Sequence, residues 1–300
     1  MRIGIGLPTR AGAMPPDGTL VWAERADRGP FSSLAVLDRV VFPVQEPLIA
    51  LAATIGVTQR IRLLASVVLA PTRETTLLAR QAASLDALSG GRFTLGVGVG
   101  VRRDDYRATG AVFERRGRRL DEQLPLLRRI WSGEPLDEDV GPIGAPPTRP
   151  GGPELLIGGY VSAVARRVAR YGDGFMAPGG GDPTRMALLW REIEAAWRAA
   201  GRDGRPRWVG SSYVALGPDA DRQAATYIRS AYGFDPTLAE RRLAGIPTTA
   251  DAVRELLSRQ ADMGADEFVF RPCAADLSLV DRLADLVESI PGIDPPAGAI

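Results

Sequence analysis

The stretch LSGGRFTLGVGVGVRRDD, residues 88–105, sets glycines two apart at Gly96, Gly98 and Gly100. Glycine-rich loops can cradle phosphate, so dinucleotide binding is the first chemistry to test. That fingerprint requires G-x-G-x-x-G between the first strand and first helix of its unit. Counted from Gly96 the third position is Val101, and counted from Gly98 it is Arg103, so the pattern fails. The spacing suits a strand instead. Residues two apart share a strand face, which puts Thr94, Gly96, Gly98 and Gly100 on one side and Leu95, Val97 and Val99 on the other. Glycine weakens a strand unless something must approach the backbone. Either these small residues make room for large neighbours, or Gly98 and Gly100 let a flat ligand rest against the strand's C-terminal end.

A second constellation is IGGYVSAVARR, residues 157–167. It reads as a strand end, a turn at Gly158 and Gly159, and a helix start. The N–H groups of Gly159, Tyr160, Val161 and Ser162 would be free at the positive end of the helix dipole, which binds phosphate without lysine. Ser162 can also serve as the helix N-cap, and both roles are compatible. Arg102 and Arg103 follow the glycine strand, where they can pair with an anion or simply be solvated. The adjacent Asp104 and Asp105 point apart, which argues against a paired acid–base role. Asp38 and Arg39 close another apolar run. Arginine stays protonated, so Arg39 can hold an anion but cannot act as a general acid or base.

Composition narrows the chemistry further. All 37 basic residues are arginine, and the chain has no histidine, lysine or asparagine. Histidine triads, histidine–metal sites and Schiff-base lysines are excluded. Proton transfer falls to carboxylates, tyrosine, cysteine, water or a cofactor, with Asp38, Glu46 and Tyr106 as weak candidates. Cys273 follows a strand and can face a pocket, although a buried inert thiol is the plainer reading. No metal site is expected. The net charge of +1 gives no field for nucleic acid or membrane. No run reaches the roughly 18–20 apolar residues of a membrane span, and no secretory leader is visible. One cysteine closes no internal disulfide, and a cytoplasmic setting is expected.

These residues need elements to position them. The apolar runs at 2–7, 34–37, 60–70, 92–99, 154–157, 174–177, 207–216 and 267–270 read as strands. Helical spacing follows each: about 20–27, 47–56, 73–88, 114–131, 162–171, 184–199, 219–230 and 277–289, with one more opening at Thr248 or Thr249. Leu77, Leu78, Gln81, Ala82, Leu85 and Leu88 keep the three-and-four spacing of the third, and Pro125 should kink the fourth. Residues 132–153, rich in glycine and proline, read as a surface insertion. Continuous strand–helix alternation over a chain of 300 residues predicts one (β/α)8 barrel domain, with active-site residues at the strands' C-terminal ends. A doubly wound sheet is the alternative.

The segment LLARQAASLDALSGGRFTLGVGVG closely resembles the luciferase-like family of flavin- and F420-dependent oxidoreductases. Similarity continues through TGAVFERRGRRLDEQLPLLRRIW and PELLIGGYVSAVARRVARYGDGFMAPG. The resemblance implies a TIM barrel with an insertion that binds FMN or coenzyme F420 at its mouth, with hydride chemistry at the ring and oxygen activation in the monooxygenases. It implies a non-proline cis peptide at Ser66–Val67, bulging toward the ring, and a cofactor phosphate at Gly158–Ser162. It also suggests a small-molecule substrate and a dimer, and FMNH2 would require a separate reductase. The arginine-rich loop leans to F420, through Arg102 and the acidic tail of that cofactor. Arg39 replaces a histidine common in the family, which leaves open F420-dependent dehydrogenation without oxygen and a barrel that only binds a ligand.

Overall fold

The computed structural model describes residues 1–10, 14–15, 17–180 and 182–296. Eight parallel strands close into a barrel in chain order: β1 (Arg2–Gly6), β2 (Ser33–Val36), β3 (Arg62–Leu69), β4 (Phe93–Gly98), β5 (Glu154–Gly158), β6 (Gly174–Met176), β7 (Arg207–Val214) and β8 (Glu267–Pro272). Closure is made by β8 against β1, with Arg2 opposite Glu267 and Ile5 opposite Phe270. Among the described residues the helices are α1 (Gly18–Arg28), α2 (Pro47–Thr54), α3 (Thr75–Leu88), α4 (Arg103–Thr109), α5 (Arg116–Trp131), α6 (Ala163–Tyr171), α7 (Pro183–Ala199), α8 (Ala220–Tyr232), α9 (Pro236–Leu243), α10 (Ala250–Asp262) and α11 (Leu277–Glu288). None is long and apolar enough to cross a membrane. The architecture is the (β/α)8 barrel that the alternation predicts.

The main core lies between strands and helices, where residues such as Ile3, Leu63, Leu95, Leu155, Trp208 and Phe268 are fully buried. The barrel interior is filled in layers by the alternate residues. Its N-terminal layer is polar and includes Ser33, Arg62, Thr94, Glu154, Arg207 and Glu267. Above it sits an apolar plug of Ala35, Leu64, Leu156, Met176, Val209 and Val269, with Val67 packed against it.

Several local expectations are corrected. In α3 the buried apolar residues are Leu78, Ala79, Ala82, Ala83 and Leu85, while Leu77 and Leu88 face solvent at 55% and 70% exposure. The helix covers the barrel with a strip of alanines, which lets it pack close. As expected, one helix, α5, spans Pro125, which lies on its exposed face; there, solvent can serve the carbonyl that proline leaves unpaired. The sequence pattern missed α4 and α9, which are short, polar helices carrying two buried residues each. Thr249, and not Thr248, caps α10 by accepting from the Ala252 N–H at 3.2 Å. The insertion at 132–153 has no helix or strand and is mostly exposed.

Candidate active site

A cavity of about 410 Å³ opens at the C-terminal ends of the strands, the size range of small-molecule sites. Asp38, Arg39, Ser66, Val67, Gly98, Gly100, Arg102, Gly158, Gly159, Tyr160 and Val161 all line it. Ser162 does not. The sequence reading therefore gathers residues from β2, β3, β4 and β5 around one space, although the role of several differs from expectation.

The glycines of β4 have a packing explanation. Between β3 and β4 the register slips, so Ala65 faces Leu95 but Val68 faces Val97. Ser66 and Val67 together oppose Gly96, and the peptide bond between them is cis. The Val67 side chain fills the gap. A Cβ on Gly98 would lie 2.7 Å from Val67 Cγ2, and one on Gly158 would lie 3.0 Å from Val67 Cγ1. Gly96 and Gly98 thus make room for Val67, which in turn contributes to the cavity floor. Gly100 lies beyond the strand with φ +62°, a left-handed turn conformation natural to glycine.

The charged candidates are mostly tied to neighbours. Asp38 is buried; it accepts the Leu69 N–H at 2.9 Å and pairs with Arg73 at 2.9 Å. Burial raises its pKa despite the Arg73 guanidinium. It joins the ends of β2 and β3. Arg39 pairs with Asp105 at 3.1 Å, and Asp105 also accepts the N–H groups of Val40 (3.0 Å) and Val41 (2.7 Å). Asp105 organises the loop after β2, a function the sequence did not reveal. Arg102 grips Asp104 with Nε at 2.8 Å and also with its terminal nitrogen, and lies 4.4 Å over the Phe234 ring. Its charge is already answered from within the chain, against the expectation of a free anion receptor. Arg103 pairs with exposed Glu114.

Of the weak proton-transfer candidates Asp38 lines the cavity, while Glu46 and Tyr106 do not. Glu46 caps α2, accepting the Ile49 N–H at 2.7 Å, and pairs with Arg73 at 2.7 Å. Tyr106 donates to the Val99 carbonyl at 2.6 Å, and burial pushes its hydroxyl up to about 12. Cys273 is buried, and burial pushes the thiol up to about 12, so it is a neutral thiol at physiological pH.

What the sequence missed is the far wall. Tyr213, on β7, and Tyr232, at the end of α8, share a hydrogen bond between hydroxyls of 2.9 Å. Burial, with Tyr232 adding to it, raises the Tyr213 hydroxyl well above its ordinary value. Arg242, from α9, lies 4.5 Å over the Tyr232 ring and donates to the Tyr160 hydroxyl at 2.8 Å and to the Gly179 carbonyl. Arg271, on the inward face of β8, donates to the Ser66 carbonyl at 2.8 Å. The strand parity of EFVFRP was enough to point Arg271 inward, but α9 lies in a segment without a readable motif.

The β5–α6 turn offers the other polar wall. Among the described residues nothing accepts from the N–H groups of Tyr160, Val161 and Ser162. Ser162 occupies the N-cap position of α6 but adopts helical dihedrals and makes no side-chain cap, contrary to the capping expectation. Gly159 has φ +153°, and a Cβ there would lie 2.8 Å from Val164 Cγ2. The backbone is therefore bare where the cavity meets the helix dipole. This arrangement fits a phosphate-bearing group, and the apolar floor of Val67 and Met176 fits the planar end of such a molecule. No cluster of three or more metal-ligating side chains occurs among the described residues.

A family model for luciferase-like monooxygenases matches residues 1–290. An uncharacterized protein of Mycobacterium tuberculosis is 31% identical over 209 residues, covering 60% of this chain and 71% of that protein. An F420-dependent secondary alcohol dehydrogenase, solved with an F420–acetone adduct, matches with TM-score 0.77 and 18% identity, over 98% of this chain and 100% of the other. The FMN complex of a type II Baeyer–Villiger monooxygenase, the oxygenating constituent of 3,6-diketocamphane monooxygenase from Pseudomonas putida, matches with TM-score 0.70 and 17% identity over 99% of both chains. At these identities the two structures establish likeness of fold.

Proposed function

The chain belongs to the luciferase-like monooxygenase family, and from that premise we propose that it is an oxidoreductase holding FMN or F420 in the larger cavity. The observation that carries the reading is the β5–α6 turn, where the N–H groups of Tyr160 and Val161 on the cavity wall, and of Ser162 just behind it, have no acceptor among the described residues, while the cavity ends on an apolar floor. When bound, either cofactor supplies hydride transfer at its ring, and FMN also supplies oxygen activation. Tyr160, Val161 and Ser162 receive its phosphate through backbone N–H groups. Arg185 stands beside them, donating to the Tyr160 carbonyl at 3.1 Å. Val67 and Met176 support the ring and keep water from one side of it. The Tyr213–Tyr232 hydroxyl pair is one protonatable group in this wall that can hand on a proton, a role open to a phenol and not to a guanidinium.

A reading without oxygen activation, F420-dependent dehydrogenation, is favoured by one observation. Arg116, Arg242 and Arg271 line the cavity and form no ion pair among the described residues; a cofactor with an acidic tail would supply the missing negative charge. Use of FMNH2 would require a separate reductase. Titration of the purified protein with FMN and with F420, followed by fluorescence, tests the proposal. Saturable binding of one of them is expected, and failure of both at tens of micromolar overturns it. Oxygen uptake during turnover then separates the two chemistries, and binding without turnover would indicate a barrel that only holds its ligand.

A further inference from the structure

Beside the larger cavity lies a second chamber of about 310 Å³. The two share Leu37, Ser66, Tyr227 and Arg271, which form the partition. The far side of the smaller chamber is built from the loop after β1 and the segment after β8. It is largely apolar, with Leu7, Val36 and Val44 among its walls.

The charge of this chamber is one-sided. Arg10 and Arg271 line it, and no carboxylate does. Neither arginine forms an ion pair among the described residues. Arg271 donates to the Ser66 carbonyl at 2.8 Å, while Arg10 lies 5.9 Å over the Phe42 ring and its guanidinium makes no hydrogen bond among those residues. At the opposite end of the same barrel, Arg62 and Arg207 both face carboxylates. Guanidinium groups drawn partly out of water and left without a counter-charge are unfavourable, and an anion entering the chamber relieves that. The Cys273 thiol, pushed up to about 12 by burial, adds no negative charge of its own at neutral pH.

We propose that this chamber is a substrate subsite for a small monocarboxylate with an apolar body, its carboxylate received by Arg10 and Arg271. The fork of donors on each guanidinium matches the two oxygens of a carboxylate, and the apolar walls match a hydrocarbon body. The choice of carboxylate over phosphate follows from the donors present: two guanidinium forks face an apolar-walled space, and no residue of a helix's first turn lines it. The assignment deepens the oxidoreductase reading, on which the larger cavity takes the cofactor, and the shared partition places the two occupants next to each other.

Calorimetric titration of the protein without added cofactor tests the assignment, using hexanoate, methyl hexanoate and hexyl phosphate as probes. Hexanoate is expected to bind at least about tenfold more tightly than its methyl ester, the effect of one charge-assisted hydrogen bond. It should also bind more tightly than hexyl phosphate. Arg10→Gln should weaken hexanoate by about tenfold or more on the same grounds while leaving the methyl ester unchanged. Arg271→Gln should weaken it too, but Arg271 also holds the Ser66 carbonyl, so Arg10→Gln carries the decision. Equal binding of acid and ester, preference for the phosphate, or an unaltered hexanoate affinity in Arg10→Gln would overturn the proposal. FMN and F420 affinities measured on the same sample report separately on the cofactor reading, because Arg10 does not line the larger cavity.

Discussion

The two ends of the barrel interior use arginine in opposite ways. At the N-terminal end Arg207 bridges Glu154 and Glu267, Arg62 lies 3.5 Å from Glu154, and Ser32 and Ser33 donate to Glu267 at 2.5 and 2.6 Å. Glu267 is fully buried, and the Arg207 guanidinium supplies its counter-charge. At the C-terminal end Arg116, Arg242 and Arg271 donate to carbonyl and hydroxyl oxygens alone. At the closed end Arg62 and Arg207 face carboxylates, whereas at the mouth Arg39 and Arg102 are paired and these three are not. A buried network of paired charges supports a fixed structure, whereas positive charge without a partner beside a cavity is the signature of a place for an anion.

The largest effect should come from the closed end. Arg207→Met strands two buried carboxylates and should destabilise the fold by about 3–5 kcal/mol in urea unfolding. Ligand affinity of the protein that remains folded should stay the same. If instead affinity falls while stability holds, the division of labour between the ends is wrong.

Acid should act on the same end. Burial opposes ionisation of Glu154, but the Arg207 and Arg62 guanidiniums outweigh it and hold the carboxyl down to about 2. Glu267 is lowered as well, Arg207 and the two serine hydroxyls outweighing its burial. A lowered folded-state pKa contributes stability that is complete above the ordinary glutamate value and is lost as pH falls toward the folded value. Glu154 alone corresponds to a loss of order 3 kcal/mol between about pH 4.5 and 2. Asp38 at the mouth has the opposite sign: its raised value makes ionisation unfavourable, so its contribution falls as pH rises through the carboxylate range. Stability curves of wild type and Glu154→Gln against pH would display the difference, the variant losing the steep acid limb.

At the mouth the readout changes. Arg242→Met should reduce affinity for the anionic cofactor by about tenfold, the worth of a charged hydrogen bond, with unfolding free energy within about 1 kcal/mol of wild type. A stability loss as large as that of Arg207→Met would erase the contrast. The smallest effect belongs to Arg103→Ala. Its partner Glu114 is exposed, and such pairs contribute about 0–1 kcal/mol, so both stability and cofactor affinity should be nearly unchanged.

The contrast also explains what could be read from the sequence. Strand order, barrel closure and the gathering of β3, β4 and β5 residues at the mouth follow from periodic burial and from glycines at fixed positions, which are local signals. The fate of a charge is not local. Arg102 and Arg39 look like free cations in sequence, but Asp104 and Asp105 neutralise them. Arg242 sits in a stretch with no pattern and becomes part of the site because α9 folds over the barrel mouth and packs against α8. Asp105 lies 66 positions from Arg39, so their pairing is invisible until the chain folds.

Because β8 hydrogen-bonds back to β1, no strand among the described residues ends a sheet. An added strand, from a neighbouring copy or from a peptide, has no ladder of free amides to join. Self-association must therefore proceed through helix and loop side chains, and cross-β aggregation must first break the ring.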